Sequence, residues 1–377
     1  MHIQTNILII GGGLGGLTAA LHLQREGLEV LLVEKQEYPH HKVCGEYLSN
    51  EVIPYLQWLD ADIRILNPSV INKLELSTLS GKSIKTGLPL GGLGISRFTL
   101  DNFLFQKFVA KGGKVITAAV SNIKNEGESF STEISSGEVI TSRHVIGAYG
   151  KRSGIDLKLK RDFIQVKSPF LAVKAHYEGE FESDVVALHN FASGYCGVSK
   201  IEDRKINICY LADYNSFMKH KNLLAYQENV LYKNQELRSI FERSKILFEE
   251  PLVISQLSFR PKEAIVDHIL LVGDTAGLIH PLCGNGMAIA IHGAKICAEL
   301  LLQFSIGQIK TRTELEEKYK SAWNHHFSYR MKTGVLLSAL LSKESLSNLV
   351  MKAMTVIPGA LPAIIKRTHG KTLTVNH

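Results

Sequence analysis

Residues 7–34 read ILIIGGGLGGLTAALHLQREGLEVLLVE, and this stretch decides the fold. Ile7 to Ile10 is an apolar run of strand length. Leu14 to Arg25 has helical apolar spacing at Leu14, Leu17, Ala20, Leu21 and Leu23, and Val30 to Val33 is a second strand-length run. Between the first strand and the helix, Gly11, Gly13 and Gly16 fit G-x-G-x-x-G. The first glycine makes the tight turn, the second lets a pyrophosphate approach the backbone, and the third lets helix and strand pack closely. The helix N-terminus adds free N–H donors and a positive partial charge. Glu34 ends the second strand, where a carboxylate can accept hydrogen bonds from ribose hydroxyls. The unit is a dinucleotide-binding β-α-β turn, common to NAD and FAD proteins.

A second segment separates the two. Residues 268–300 read HILLVGDTAGLIHPLCGNGMAIAIHGAKICAEL. A buried strand ends at Gly273-Asp274, a turn passes through Pro281, and Gly284-Asn285-Gly286 opens an apolar helix near Met287. An Asp at a strand end can hold a ribityl hydroxyl, and N–H groups at the following helix start can face a ring that becomes anionic on reduction. NAD has no such need; a flavin does.

GDTAG, then Pro281, then GNG before a helix resembles the ribityl- and ring-binding segment of FAD enzymes related to para-hydroxybenzoate hydroxylase and geranylgeranyl reductase. Lys42-Val43-Cys44-Gly45 resembles the Lys-x-Cys-Gly of the geranylgeranyl reductase group. Ser96 to Asp101 (SRFTLD) resembles an Arg-x-x-(Leu/Phe)-Asp helix entry, and Gly147 to Ser153 (GAYGKRS) a Gly-Ala-Asp-Gly-x-x-Ser stretch. The resemblance covers about residues 5–155 and 255–305. It implies that Gly11, Gly13, Leu14, Gly15 and Gly16 contact the pyrophosphate and Glu34 the adenosine ribose. It places Lys42 and Arg97 as positive charge near phosphates or flavin, Val120 as a backbone contact to adenine, Asp274 on the ribitol, and Gly286 with Met287 around the isoalloxazine. NADPH or NADH is the implied electron donor. Two departures stand out. Tyr149 replaces the Asp that helps to bind FAD and NADPH in the hydroxylases. In addition, 194–199 (GYCGVS) keeps a Tyr of the reductases' Tyr-x-Trp-x-Phe-Pro box but lacks its Trp and Phe-Pro, and the halogenase Trp-x-Trp-x-Ile-Pro box is also missing.

Along the rest of the chain, a loop at Tyr38–Gly45 precedes a helix near Val52–Leu59. Leu74–Leu88 reads as a hairpin turning at Ser80-Gly81, Thr99–Ala110 as a helix, and Lys114–Tyr149 as strands and turns. Residues 155–260 alternate as an antiparallel sheet (Phe170 to Tyr177, Ile206 to Leu211), interrupted by a charged helix over Met218–Ile246, and the chain is mostly helical after Thr313. At 377 residues, about 150 per domain gives two domains and a tail. The expected fold is α/β: a Rossmann-type FAD-binding domain (1–155 with 255–305), an inserted antiparallel-sheet substrate domain (70–98 with 156–254) and a helical basic C-terminal extension (306–377).

Four residues are catalytic candidates, each with a plain packing alternative. Cys44 is a proton donor or redox neighbour of the flavin, or a small buried thiol filling space. His280 and Cys283 flank Pro281 and either touch substrate or pack the loop. Tyr195 either hydrogen-bonds substrate or buries its ring in the sheet. His40-His41 and His325-His326 lack further spaced donors and read as solvated pairs, not metal ligands. The five cysteines are scattered without zinc or disulfide spacing, so no metal is expected.

Composition sets outer limits. A hydrophobic content of 45% with 21% charged residues is globular. The net charge of +7 lies wholly in residues 301–377, eleven basic against four acidic. No nucleic-acid motif accompanies it. The tail either solubilises helices packed over the core or meets a membrane or carrier-protein surface, with Val335-Leu336-Leu337, Leu340-Leu341 and Leu349-Val350-Met351 as its apolar groups. No uncharged run reaches membrane-spanning length and no signal peptide opens the chain, so a cytoplasmic location is expected; the sequence assigns no oligomeric state. The expected activity is an FAD-dependent oxidoreductase acting on an apolar or aromatic small molecule. Monooxygenation by reduced flavin and oxygen comes first, saturation of isoprenoid double bonds is the alternative, and a non-catalytic flavin-binding protein is a third reading.

Overall fold

In this computed structural model, residues 2–79, 82–341 and 359–375 are described. The first sheet runs, in spatial order, Ile265–Val266, Ile269–Leu271, Val139–Gly147, His2–Ile10, Val30–Glu34, Lys114–Thr117. Its four central pairings are all parallel, and the antiparallel strands Val120–Asn125 and Phe130–Ile134 extend it from the start of Val139–Gly147. The buried pairings explain the near-continuous apolar reading of Ile7–Ile10 and Val30–Val33. Helix Leu14–Arg25 packs between helices Arg97–Ala110 and Gly286–Ser305, the last contributed by the far end of the chain. Helix Gly286–Ser305 is long and apolar enough to cross a membrane, with a mean hydropathy of 1.4, yet 67% of that window is buried inside this fold.

The second sheet is mixed and mostly antiparallel, in the order Ser244–Ile246, Phe170–Gly179, Ile206–Asp213, Gly194–Lys200, Val185–Phe191, Ser69–Ser77, Ser83–Gly94, Tyr47–Ser49, with Leu252–Ser255 also on Phe170–Gly179. Strand periodicity divides its residues. Leu171, Val173, Ala175 and Tyr177 pack against Tyr226, Leu237, Ile240 and Phe241, while Ala172, Tyr195 and Leu211 turn to Leu257 and Leu278 of the nucleotide side. The inserted sheet therefore meets the nucleotide side through this second face.

The structure corrects several expectations. Val185–Phe191 runs parallel to Ser69–Ser77, so the inserted sheet is not purely antiparallel: a hundred residues, not a hairpin, separate these neighbours. Tyr47–Ser49 joins this sheet although it lies outside 70–98. The single helix read over 218–246 is two short ones, Leu223–Asn229 and Gln235–Glu242, because Asn222 and Asn234 each accept backbone N–H bonds and start a new helix. That stretch ends in a strand. Within the C-terminal extension, Leu315, Tyr319, Trp323 and Phe327 of helix Arg312–Leu341 are buried in the core of the first sheet. Strands 69–77 and 83–94 pair as read, while the Ser80-Gly81 turn and the Leu349-Val350-Met351 group lie outside the described residues.

Candidate flavin site

The phosphate turn is built by close approach. Gly11 sits at φ 103°, and a Cβ there would lie 2.4 Å from the Ala148 carbonyl oxygen; one on Gly16 would lie 1.9 Å from the Gly11 carbonyl oxygen. Gly15 faces Val272, Gly273 and Ala290, so its missing side chain joins the two nucleotide segments and does not point into the phosphate cradle. Leu14 begins the helix and is buried. Gly13 is different. The nearest atoms to a Cβ there are Arg97 Nη2 at 3.4 Å and Lys42 Nζ at 3.7 Å. The helix that starts here has no side-chain cap and no acidic residue in its first turn, which leaves its first N–H groups for a ligand.

Lys42 and Arg97 share one counter-ion. Lys42 Nζ lies 2.9 Å from Asp101 Oδ2, and Arg97 donates to both Asp101 oxygens at 2.6 Å. Burial pushes the Asp101 carboxyl up, but Arg97 and Lys42 outweigh it and hold it below the usual carboxylate range. Two cations against one carboxylate leave a positive surplus over Gly13. An open cradle, uncapped donors and surplus cations are the donor set of a pyrophosphate site, and they fit FAD.

Beside it, Glu34 accepts from Gly12 N (2.6 Å) and Gln36 N (3.1 Å). Tyr38 donates its hydroxyl to the Gly12 carbonyl and stacks on Phe105 at 4.2 Å. Val120 begins a strand in register with Ile134, and it is Ala118 whose N–H reaches the Glu34 carbonyl. In the second segment, Gly273 has φ 61° and Gly284 φ 64°. Lys262 Nζ donates to the Asp274 carbonyl at 2.8 Å, while the Asp274 carboxylate accepts no hydrogen bond from the described residues. Gly286 opens the helix and Met287 is buried. Asn285, fully buried just before them, donates to the Thr368 carbonyl at 3.0 Å and leaves Oδ1 unpartnered among the described residues.

The four catalytic candidates converge. Burial raises the pKa of the Tyr195 phenol well above its ordinary value, and the charge that nearby cysteines would carry, Cys209 and Cys283 foremost, adds to the rise. The Tyr195 ring tilts against His280 at 5.9 Å, and His280 against Phe259 at 4.6 Å. Burial lowers His280 to about 4 and raises Cys283 to about 12. Cys209 is likewise pushed up to about 12, by burial first and then by Cys44. At neutral pH the imidazole is therefore uncharged, and the phenol and these two thiols keep their protons. An apolar wall of Ala172, Leu211, Leu278 and partly buried Val43, Phe170 and Leu282 lines the same region.

The Cys44 loop is fixed at nearly every residue. Lys151 Nζ donates to the Val43 carbonyl (2.6 Å), Asn207 Nδ2 to the Cys44 carbonyl (3.2 Å), and Glu46 N to Cys44 Sγ (3.4 Å). The buried Glu46 side chain holds Lys174, His176 and the Arg97 N–H. His41, read from sequence as solvated, is instead half-buried between Phe98 (4.5 Å) and Phe248 (4.5 Å), with its edge toward His176. His326 likewise packs on His292 at 4.7 Å. No cluster that could hold a metal occurs among the described residues.

Sequence reading missed Tyr38, Glu46, Lys174, His176 and Cys209. A signal existed for two of them: Lys174 and His176 sit two apart in the otherwise apolar 170–177 run, which marks one strand face as polar.

Residues 6–43 match the family described as FAD dependent oxidoreductase. A digeranylgeranylglycerophospholipid reductase of Methanosarcina acetivorans is 26% identical over 84% of this chain and 80% of its own length. Among solved structures, the flavin-dependent brominase Bmp2 superposes with a TM-score of 0.81 at 16% identity, over 97% of this chain and 93% of the brominase. A geranylgeranyl bacteriochlorophyll reductase-like protein from Thermoplasma acidophilum gives 0.76 at 20% identity, over 97% of each chain.

Proposed function

We propose, from the premise that this chain is an FAD-dependent oxidoreductase of the superfamily of para-hydroxybenzoate hydroxylase and geranylgeranyl reductase, that it saturates carbon–carbon double bonds of an apolar, isoprenoid-like substrate. This reverses the order expected from sequence, where monooxygenation came first. The observation that carries it is the shared neighbourhood of Tyr195, Cys209, Cys283 and Cys44 beside an apolar wall. Reduced FAD supplies the electron pair. The chain must then supply a proton to the second carbon, from a group that still holds one at neutral pH and in a dry place. Tyr195 and Cys283 are buried and keep their protons at neutral pH. The curated relative that reduces a prenylated lipid supports the same choice.

Lys42, Arg97 and the start of helix Leu14–Arg25 hold the pyrophosphate, Glu34 the ribose, and Asp274 the ribityl chain. Asn285, Gly286 and Met287 border the ring. NADPH or NADH is the proposed reductant, a cytoplasmic location the proposed setting, and an anionic membrane or carrier surface the proposed neighbour of the basic tail. The deciding experiment is anaerobic. Protein reduced with dithionite is given a geranylgeranyl compound, and the products are weighed by mass spectrometry. A dihydro product formed without oxygen supports saturation. A product gaining one oxygen atom, formed only in air, would establish monooxygenation instead.

A further inference from the structure

Strand Phe170–Gly179 sends Lys174 and His176 to the face that meets the Cys44 loop, and both end on one carboxylate. Lys174 Nζ donates to Glu46 Oε1 at 2.7 Å, and His176 Nε2 lies 2.7 Å from Glu46 Oε2. The Arg97 N–H completes the set at 2.8 Å. Lys174 and Glu46 are 0% exposed and His176 only 4%. Apolar side chains of similar volume would join two layers as well or better than an ion pair this deep, because both charges have lost their water. Adhesion alone does not account for it.

Its surroundings point to the flavin. In register on the next strand, Cys209 faces Lys174 and Asn207 faces His176. Asn207 holds the Cys44 carbonyl, and Cys209 feels Cys44, Lys151, Lys174 and Glu46. Glu46 itself adopts φ 54°, a left-handed conformation uncommon for a residue with a side chain. The local backbone thus pays strain to aim this carboxylate inward.

We propose that Glu46, Lys174 and His176 are positioning residues for the flavin ring, a buried ion cluster that pins the Cys44 loop to the inserted sheet and sets the electrostatic potential at the ring by balancing the Glu46 carboxylate against the Lys174 ammonium. The proposal rests on the reading that the chain holds FAD. Because the pair is out of water, an imbalance in it acts over a distance and is little screened by salt.

The signature is a pair of opposite shifts. Lys174→Met leaves Glu46 unbalanced and lowers the flavin reduction potential, since electrons then enter a ring beside uncompensated negative charge. Glu46→Gln leaves Lys174 unbalanced and raises it. The double variant returns it close to wild type, and the single-variant shifts persist from low to high salt. Potentials are read by dye equilibration on FAD-loaded protein, independently of turnover. Shifts of the same sign, or none in either single variant, overturn the proposal, because a purely structural latch has no reason to give opposite signs. If a single variant fails to load flavin, Cys209→Asp adds a negative charge in register with Lys174 and leaves Glu46, Lys174 and the Asn207 bond to the Cys44 carbonyl in place, and it must lower the potential; an unchanged value overturns the proposal. Wild-type protein that takes up no FAD fails differently, since it removes the reading underneath.

Discussion

Replacing Gly13 by alanine separates the cradle from the scaffold. A methyl group there meets Arg97 Nη2 at 3.4 Å and Lys42 Nζ at 3.7 Å, ordinary contact distances, on a backbone at φ −84° that any residue adopts. The unliganded protein should therefore keep its melting temperature, or gain up to about 1 kcal/mol from a stiffer unfolded chain. The same methyl occupies space where the pyrophosphate must approach the helix N–H groups and the two cations. Losing two charge-assisted hydrogen bonds at about 1.5–3 kcal/mol each costs roughly 3–6 kcal/mol. That is about a 100-fold to 10,000-fold weaker FAD affinity, at about 1.4 kcal/mol per decade. Gly16→Ala is the control: its methyl would stand 1.9 Å from the Gly11 carbonyl oxygen, so the turn itself must break and the unliganded protein must melt earlier. The assay pairs thermal melts of apoprotein with FAD titration followed by flavin fluorescence. Wild-type FAD affinity in Gly13→Ala, or an apoprotein as destabilised as Gly16→Ala, would refute the reasoning.

Three further outcomes are expected. Asp274→Ala should lower FAD occupancy in purified protein and leave the apoprotein melt unchanged, since its carboxylate accepts no protein hydrogen bond among the described residues; full occupancy would remove it from the ribityl site. Gly370→Ala should weaken FAD binding from a distance, because its Cβ would lie 2.6 Å from Glu51 Oε1 and from Arg330 Nη2, and Glu51 joins the C-terminal segment to Asn285; unaltered flavin absorbance and affinity would show that the C-terminus does not shape the ring loop. Buried His22, His189 and His280 titrate at about 4 because burial disfavours their charged form. Unfolded histidine titrates near ~6.5, so between about pH 6.5 and 4 the unfolded chain binds protons that the fold refuses, and stability falls as pH drops through that window. His189, with burial as its sole cause, accounts for on the order of 3 kcal/mol, and a His189→Asn melt series from pH 7 downward should show a shallower slope than wild type.

The nucleotide half was legible because its chemistry is local. Gly11, Gly13 and Gly16 lie within one turn, helix Leu14–Arg25 has the bounds its periodicity predicts, and Gly273-Asp274 comes one residue after its strand ends at Leu271. The ion cluster was not legible, because Glu46, Lys174 and His176 meet only through sheet docking across about 130 positions of sequence; no local spacing encodes that. Reading His41 as solvated failed for the same reason, since Phe98 and Phe248 that enclose it come from distant segments. The 218–246 helix failed locally instead: the stretch is charged throughout, yet Asn222 and Asn234 each cap a new helix within it.

Arg97 shows why the two halves act as one site. Its guanidinium rests on Asp101 beside Lys42 and faces Gly13, while its backbone N–H is held by Glu46, the carboxylate that Lys174 and His176 grip from the inserted sheet. One residue earlier, Ser96 caps the same helix and donates to Glu202, also from the inserted segment. The Arg97 cation over Gly13 and the inserted sheet are thus fixed to the same two backbone positions. A ligand that draws Arg97 toward Gly13 loads the junction between the sheets as well as the phosphate turn, and binding to the folded form alone adds stability that grows with ligand concentration. An anion bound over Gly13 would relieve the surplus positive charge that Lys42 and Arg97 hold there against a single carboxylate, and would tighten the junction with it.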